Sequence, residues 1–232
     1  MKAQILSVLL LIPMLAEAND SIWSTGVEVG AVFTTGNTKS DNVKVKVDST
    51  REGEKYRNNV HFDTLRSSKD STKTAQKLYG SYQLDFKFDD DRSLFGRVAY
   101  EDDLFSGYDY QADLSVGYSQ RLIHDEIHSL SADVGVGYRS SGLAGGGDES
   151  EGLLRLAGKY TWKISENALF KQLLSTELGS QSNITRSESS LQTTVVGDLA
   201  MKLTVAMKHN SDVPAGSKKT DTESSVTLVY QF

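Results

Sequence analysis

Charged side chains at every second position are the first chemistry this sequence offers. Lys44, Lys46 and Asp48 alternate with Val43, Val45 and Val47, and Arg57, Asn59, His61 and Asp63 alternate with Val60 and Phe62. Side chains of an extended strand point to opposite faces in turn, so this spacing gathers each set on one wall. The same alternation sets Glu28, Lys77, Asp85, Lys87, Arg97, Glu101, Asp113, Asp133, Arg155, Lys159 and Lys208 opposite apolar faces. A wall carrying both signs can pair across an enclosed interior and close it, or line a narrow aqueous path. A ring of one sign would instead select ions.

Other constellations are weaker. His209-Asn210-Ser211-Asp212 crowds His, Ser and Asp together, but a working triad draws its members from several elements rather than from sequence neighbours. His124 and His128 fall in or beside a turn, and His61 reads as a polar wall residue satisfied by its neighbours. Asp102 and Asp103, with Asp148, Glu149 and Glu151, supply oxygens that could hold a hard divalent cation; the other reading is a solvated charged rim. With no cysteine, thiolate catalysis, sulfur-ligated metals and disulfides are all removed. A net charge of −6 gives no support for nucleic-acid binding, which needs a basic face. The sequence therefore predicts no catalytic residue, no metal, no cofactor and no enzyme.

The elements that position these walls are long alternating segments. The plainest closes the chain: Val226, Leu228, Tyr230 and Phe232 share one face, while Glu223, Ser225, Thr227 and Gln231 share the other, with Val229 the exception. Before it come a segment from about Ile22 to Thr35 and others marked by Val43, Val45 and Val47, by Tyr56, Val60 and Phe62, by Leu78, Tyr82, Leu84 and Phe86, and by Leu94, Val98 and Tyr100. Further ones are marked by Ala112, Leu114, Val116 and Tyr118, by Leu130, Ala132, Val134, Val136 and Tyr138, and by Leu154, Leu156, Tyr160 and Trp162. The last run from Leu169 to Leu178, by Leu191, Thr193 and Val195, and by Met201, Leu203, Val205 and Met207; all are separated by turns rich in Gly, Asn, Asp and Ser. Segment 169–178 is the least regular, because Leu169 and Leu173 interrupt its polar face. Gly36-Asn37-Thr38, Ser67 to Thr72, Ser106-Gly107, Ser141 to Glu149, Gln181 to Thr185 and Ser211 to Lys218 form one set of connections. The turns at Arg51, Asp89, His124, Ser165 and Asp198 form the other.

At the N-terminus, Lys2, an apolar run from Ile5 to Leu15 and the small-x-small site Ala16-Glu17-Ala18 predict a signal peptide over 1–18, cleaved to leave a mature chain over 19–232. Thereafter no run approaches the roughly 18 consecutive apolar residues of a membrane helix. The segments are instead the right length for membrane strands, about 9–11 residues tilted across a bilayer, against about 5–6 for an average soluble strand. Trp23, Tyr118, Tyr138, Tyr160, Trp162 and Tyr230 lie near the ends of the apolar faces, where aromatic girdles sit. A soluble sandwich of these segments would leave exposed edges. The sequence predicts an all-β fold: a closed, antiparallel, up-and-down transmembrane β-barrel of about twelve strands, in the even count of bacterial barrels. In hydrocarbon every backbone N–H and C=O needs an internal partner, and closure provides it.

Strand one with Gly36-Asn37-Thr38, the stretch Asn210…Pro214…Gly216…Lys219-Thr220-Asp221-Thr222, and the terminal Leu228-Val229-Tyr230-Gln231-Phe232 resemble the YdiY-like salt-induced outer-membrane proteins, a grouping built on a domain of unknown function. The resemblance covers the mature chain and implies an outer-membrane barrel linked by name to salt response, with no established activity. Together with the alternation, it sets the expectation of a narrow pore or salt- and osmotic-stress-linked envelope component in a Gram-negative outer membrane. The alternatives are a non-conducting structural barrel and a lipid-modifying enzyme. The partners implied are outer-membrane lipid and lipopolysaccharide, the barrel-assembly machinery acting through the C-terminal strand, and small solutes or ions.

Overall fold

The computed structural model of the protein describes residues 22–35, 41–69, 72–103, 106–213 and 217–232. The expected signal peptide with Ala16 and Ala18, the turn Gly36-Asn37-Thr38, and Pro214 and Gly216 lie outside the described residues. The chain forms β1 (Ile22–Thr35), β2 (Asp41–Glu52), β3 (Tyr56–Lys69), β4 (Thr72–Lys87), β5 (Arg92–Asp103), β6 (Tyr108–His124), β7 (His128–Leu143), β8 (Asp148–Ser165), β9 (Ala168–Gly179), β10 (Asn183–Val196), β11 (Leu199–Asn210) and β12 (Thr220–Gln231). Each strand pairs antiparallel with its sequence neighbours, and β1 pairs with β12, so the sheet is a closed barrel.

The closing seam runs from Gly26 opposite Gln231 to Thr35 opposite Thr222. Beyond it, Phe232 N–H donates to Thr25 O at 2.9 Å, and Thr25 N–H donates to Phe232 O at 2.9 Å. The terminal residue thus completes the ladder and leaves neither edge strand unpaired at that end, as a membrane requires. Gly30 sits on the same seam. A Cβ there would meet backbone atoms of Val226 and Thr227, so the close approach of β1 to β12 depends on its missing side chain.

Burial is inverted relative to a water-soluble protein. Val29, Val98, Leu114, Val136, Leu203 and Leu228 are exposed on the outside, whereas Glu28, Lys46, Asp85, Arg97, Glu101 and Arg139 are buried inside. Trp23, Tyr56, Phe86, Phe88, Trp162, Tyr230 and Phe232 band the end that carries the short turns; Phe33, Tyr100 and Tyr138 lie toward the other. His128 belongs to the first band, stacked between Tyr160 and Trp162 at centroid distances of 5.9 and 6.2 Å. An apolar outer surface bounded by aromatic girdles is the surface of a transmembrane barrel.

The connections differ from the sequence reading at one end. Ser67 to Thr72 is largely strand, since β3 runs to Lys69 and β4 starts at Thr72; Ser141 to Glu149 shortens to a turn between Leu143 and Asp148, and Gln181 to Thr185 to one between Gly179 and Asn183. Polar composition marked these stretches as loops, yet neighbouring strands go on pairing past the apolar band. The turn after β7 is made by Gly146 and Gly147 at φ 90° and 103°. On the opposite end, Asp89 accepts Arg92 Nε–H at 2.7 Å and the N–H of Asp91 and Arg92. Asp125 accepts the N–H of His128 at 2.6 Å and of Ile127 at 2.9 Å. The Arg92 guanidinium beside Asp89, and the backbone donors around Asp125, hold both carboxyls below their ordinary range.

Candidate functional site

Period-two alternation directs all sixteen predicted lumen residues inward: Glu28, Lys44, Lys46, Asp48, Arg57, His61, Asp63, Lys77, Asp85, Lys87, Arg97, Glu101, Asp113, Asp133, Arg155 and Lys159. Val226, Leu228, Tyr230 and Phe232 of the terminal strand are exposed on the outside, and Val229, the exception to that alternation, is buried inside. What the tertiary structure adds is the pairing, much of it between strands that are not neighbours.

Glu101 on β5 is the hub of one cluster. It accepts Arg186 Nη2–H from β10 and Lys208 Nζ–H from β11, each at 2.8 Å. These strands lie on opposite sides of the ring, so both contacts cross the lumen. Arg186 also lies over the Tyr79 ring of β4 at 5.7 Å, and Arg97 binds Tyr79 Oη and Asp113 at 2.6 Å each. A second hub is Glu177 on β9, which contacts Arg155 at 2.8 Å, Arg186 at 3.2 Å and Arg139 at 3.5 Å. A third is Glu223 on β12, holding Lys44 and Lys77 at 2.9 Å each. Below these, Lys46 binds Glu188 at 2.9 Å, and Lys202 binds Glu28 at 2.7 Å. Buried ions survive where opposite charges and hydrogen bonds surround them, and this lattice does both.

The lattice divides the interior. On the short-turn side lies a cavity of about 580 Å³, lined from Asp89, Arg92 and Arg121 at its mouth up to Glu101, Lys208 and Glu223. Beyond the lattice the lumen is packed. Val32, Leu65, Tyr108 and Ile184 point inward and are buried, Arg139 is 2% exposed, and Tyr108 Oη–H reaches Asp212 O at 3.4 Å. On the short-turn side of the lattice, Phe95 covers the wall over Gly117 and Gly135, where a Cβ would stand 2.8 and 2.9 Å from its ring. Among the described residues the cavity therefore has its mouth at the end where β1 begins and β12 ends, and is stoppered at the other.

Several residues that complete the interior were not among the predicted lumen set: Glu151, Glu177, Arg186 and Glu188 as lumen-pairing groups, Lys171 as an inward cation, and Val32, Leu65, Phe95, Leu153 and Ile184 as inward apolar packing; Arg139, Lys202 and Glu223 lay on polar faces in the sequence but were not assigned to the lumen. Those on β9 and β10 were masked because the outer face there is itself polar. Gln172 donates to Ser187 Oγ at 3.0 Å and accepts from Ser189 Oγ, both on the lipid side. The interruptions at Leu169 and Leu173, and the exception at Val229, were the available signal: inward apolar residues mark a filled lumen.

The remaining candidates separate in space. His61 Nδ1 bonds Asp48 at 2.6 Å, as a satisfied wall residue does. His209 bonds Thr220 Oγ1 at 2.8 Å, while Ser211 Oγ accepts Asn183 N–H at 2.8 Å, so the His-Ser-Asp neighbours face different partners. Glu151 leaves the acidic rim, turning inward to accept Gln181 N–H at 2.7 Å and to pair with Arg139 at 3.3 Å. Among the described residues no three carboxylates or imidazoles converge as a metal site would need.

Residues 27–232 match the model of a family described as "Protein of unknown function, DUF481". A relative from Escherichia coli (strain K12), "Uncharacterized protein YdiY", is 24% identical over 207 residues, covering 89% of this chain and 82% of that protein. Among solved structures, the chain is similar to the NanC porin with a TM-score of 0.59 and 12% identity, covering 88% of this chain and 98% of that one. It is similar to the translocator domain of the autotransporter NalP from Neisseria meningitidis, at 0.54 and 11%, covering 93% and 90% of the two chains. The KdgM porin in complex with disordered oligogalacturonate follows at 0.50 and 10%, covering 89% and 99%. At such identities the likeness is one of fold, that of an outer-membrane barrel.

Proposed function

We propose, for a chain that belongs to the DUF481 family of proteins of unknown function and folds as an outer-membrane barrel, that it acts as a narrow pore for small solutes or ions. It is delivered by a signal peptide cleaved after Ala18, inserted by the assembly machinery through β12, and held among outer-membrane lipid and lipopolysaccharide. One observation carries the reading. Among the described residues, the charged cavity is closed above by side chains that reach across the lumen, Glu101 to Arg186 and Lys208, and not by a folded loop or helix. Side-chain ion pairs rearrange without refolding backbone, and salt weakens those that water reaches. A link to salt and osmotic stress follows: rising ionic strength loosens the lattice and widens the path.

Most of the lumen charges are spent on one another, which supports a conduit over a catalyst. Arg186→Ala is the test. It removes the strut, yet Glu101 keeps Lys208 and Glu177 keeps Arg155 and Arg139, so the barrel retains its acid pairing. In planar bilayers the wild type should show small unitary steps, and the variant steps about twofold larger or more, in keeping with a pore limited by its lining side chains.

The packing of Val32, Leu65, Tyr108 and Ile184 beyond the lattice favours a second reading, a non-conducting barrel that stiffens the envelope. Silence of both proteins at every voltage and salt concentration would overturn the pore and leave this one.

A further inference from the structure

Within the lumen, Lys44, Lys46, Lys77, Lys87, Lys202 and Lys208 each touch a carboxylate. Lys159 and Lys171 do not, and neither does Arg121 among the described residues. These three cations share one wall. Arg121 on β6 stands opposite Ser131 on β7, and Ser131 stands opposite Lys159 on β8. Lys171 on β9 faces Thr161, two residues along from Lys159, and is its diagonal neighbour. Arg121, Ser131 and Lys159 all line the cavity.

The surroundings neutralise them only in part. Lys159 faces Arg57, Arg121, Asp48 and Asp133; Lys171 faces Lys159, Lys46, Lys202 and Asp48. Asp48 is already engaged by His61 at 2.6 Å and by Lys46 at 3.5 Å, which leaves Asp133, holding only the neutral Ser119 hydroxyl at 2.6 Å, as the one carboxylate set against three cations. Like charges held together away from bulk water repel strongly, and a mobile counter-anion relieves that repulsion. The wall offers such an ion ammonium and guanidinium donors with the Ser131 hydroxyl between them, in a cavity of ligand-binding size.

We infer that Arg121, Ser131 and Lys159, with Lys171 adding positive charge from beside the cavity lining, form an anion-binding subsite, entered from the short-turn end, for small multivalent oxyanions carrying phosphate or carboxylate groups. The inference concerns the same lumen as the pore reading and names its solute class, but binding is read without conductance. Neighbouring strands place Cα atoms about 4.5–5.5 Å apart, so Arg121 and Lys159, two strands apart, grip an ion with more than one charged oxygen group better than a monoanion.

The experiment is calorimetric titration of the refolded full chain in detergent with inorganic pyrophosphate and, separately, with citrate, at about 20 mM ionic strength to limit screening. The variant Lys159→Gln/Lys171→Gln removes two unpaired charges, and heat-modifiable gel mobility confirms that it folds. Lys55→Gln, on the exposed turn after β2, is the control. Wild type and control should bind with equal affinity, while the double variant binds about tenfold more weakly or worse, the effect of losing charge-assisted contacts. Binding of pyrophosphate alone assigns a phosphate-bearing solute, and of citrate alone a carboxylate. Absence of binding of both ions to the wild type, or equal affinity in the double variant, overturns the subsite. Binding without conductance upholds the subsite and removes the pore; conductance without binding does the reverse.

Discussion

Glu177→Gln removes the anion shared by Arg139, Arg155 and Arg186, and the structure indicates how much that costs. Arg186 keeps Glu101 at 2.8 Å, and Arg139 keeps Glu151 at 3.3 Å. Among the described residues Arg155 touches one carboxylate, Glu177, at 2.8 Å. One buried guanidinium is therefore orphaned, not three. Breaking a buried ion pair from one side costs about 3–5 kcal/mol, and that is the expected loss; three orphans would cost a multiple of it. Replacing the orphan as well should recover most of the loss, since Arg155→Met leaves a side chain of similar reach and no charge. Urea unfolding of the barrel in phospholipid vesicles, followed by the fluorescence of Trp23 and Trp162 on the outer face, measures both variants and their coupling. Glu52→Gln is the comparison, because that side chain is 42% exposed at the cavity mouth, where an ion pair contributes about 1 kcal/mol or less. The reasoning is refuted if Glu177→Gln costs no more than Glu52→Gln, or if Arg155→Met deepens the loss.

Gly30→Val drives a side chain into the backbone of β12 at the seam, where neither strand can yield. It should cost about 3 kcal/mol or more, the upper range of overpacking, and abolish heat-modifiable mobility on gels. Gly96→Ala, with nothing within 4 Å of the added Cβ, should leave mobility unchanged. The carboxyl of Asp125 is depressed in the folded state, so its support of the turn is full above the ordinary aspartate pKa, about 3.9, and is lost as pH falls through the lower folded value. The protection factors of the Ile127 and His128 amides, their exchange rates corrected for the intrinsic pH dependence of the chemistry, should be flat from neutrality to about pH 4 and then fall. Asp125→Asn should remove that pH dependence, and an unchanged profile would discard the assignment.

The inside-out barrel was legible because alternation is local: each residue's face follows from its neighbours, as Val43, Val45 and Val47 against Lys44, Lys46 and Asp48 show. Strand count, the inward direction of sixteen charged or polar residues and the role of Phe232 at the closing edge all follow from that period. β9 and β10 resisted, because Gln172, Ser187 and Ser189 satisfy one another on the lipid side and blur the distinction between faces. Glu151 read as rim because a strand's extent beyond the apolar band depends on its neighbours and not on its own composition.

The chain by itself decided which side chains enter the interior; only the closed ring decided which of them meet. Glu101 reaches Lys208, 107 residues away in sequence, because β5 and β11 face each other across a lumen whose width and stagger are set by all twelve strands together. Pairing across an enclosed space depends on the register of every ladder around it, and no stretch of sequence carries that information alone. The same closure left Lys159 and Lys171, among the described residues, with no carboxylate in contact, a shortage that no count of charges along the chain could reveal.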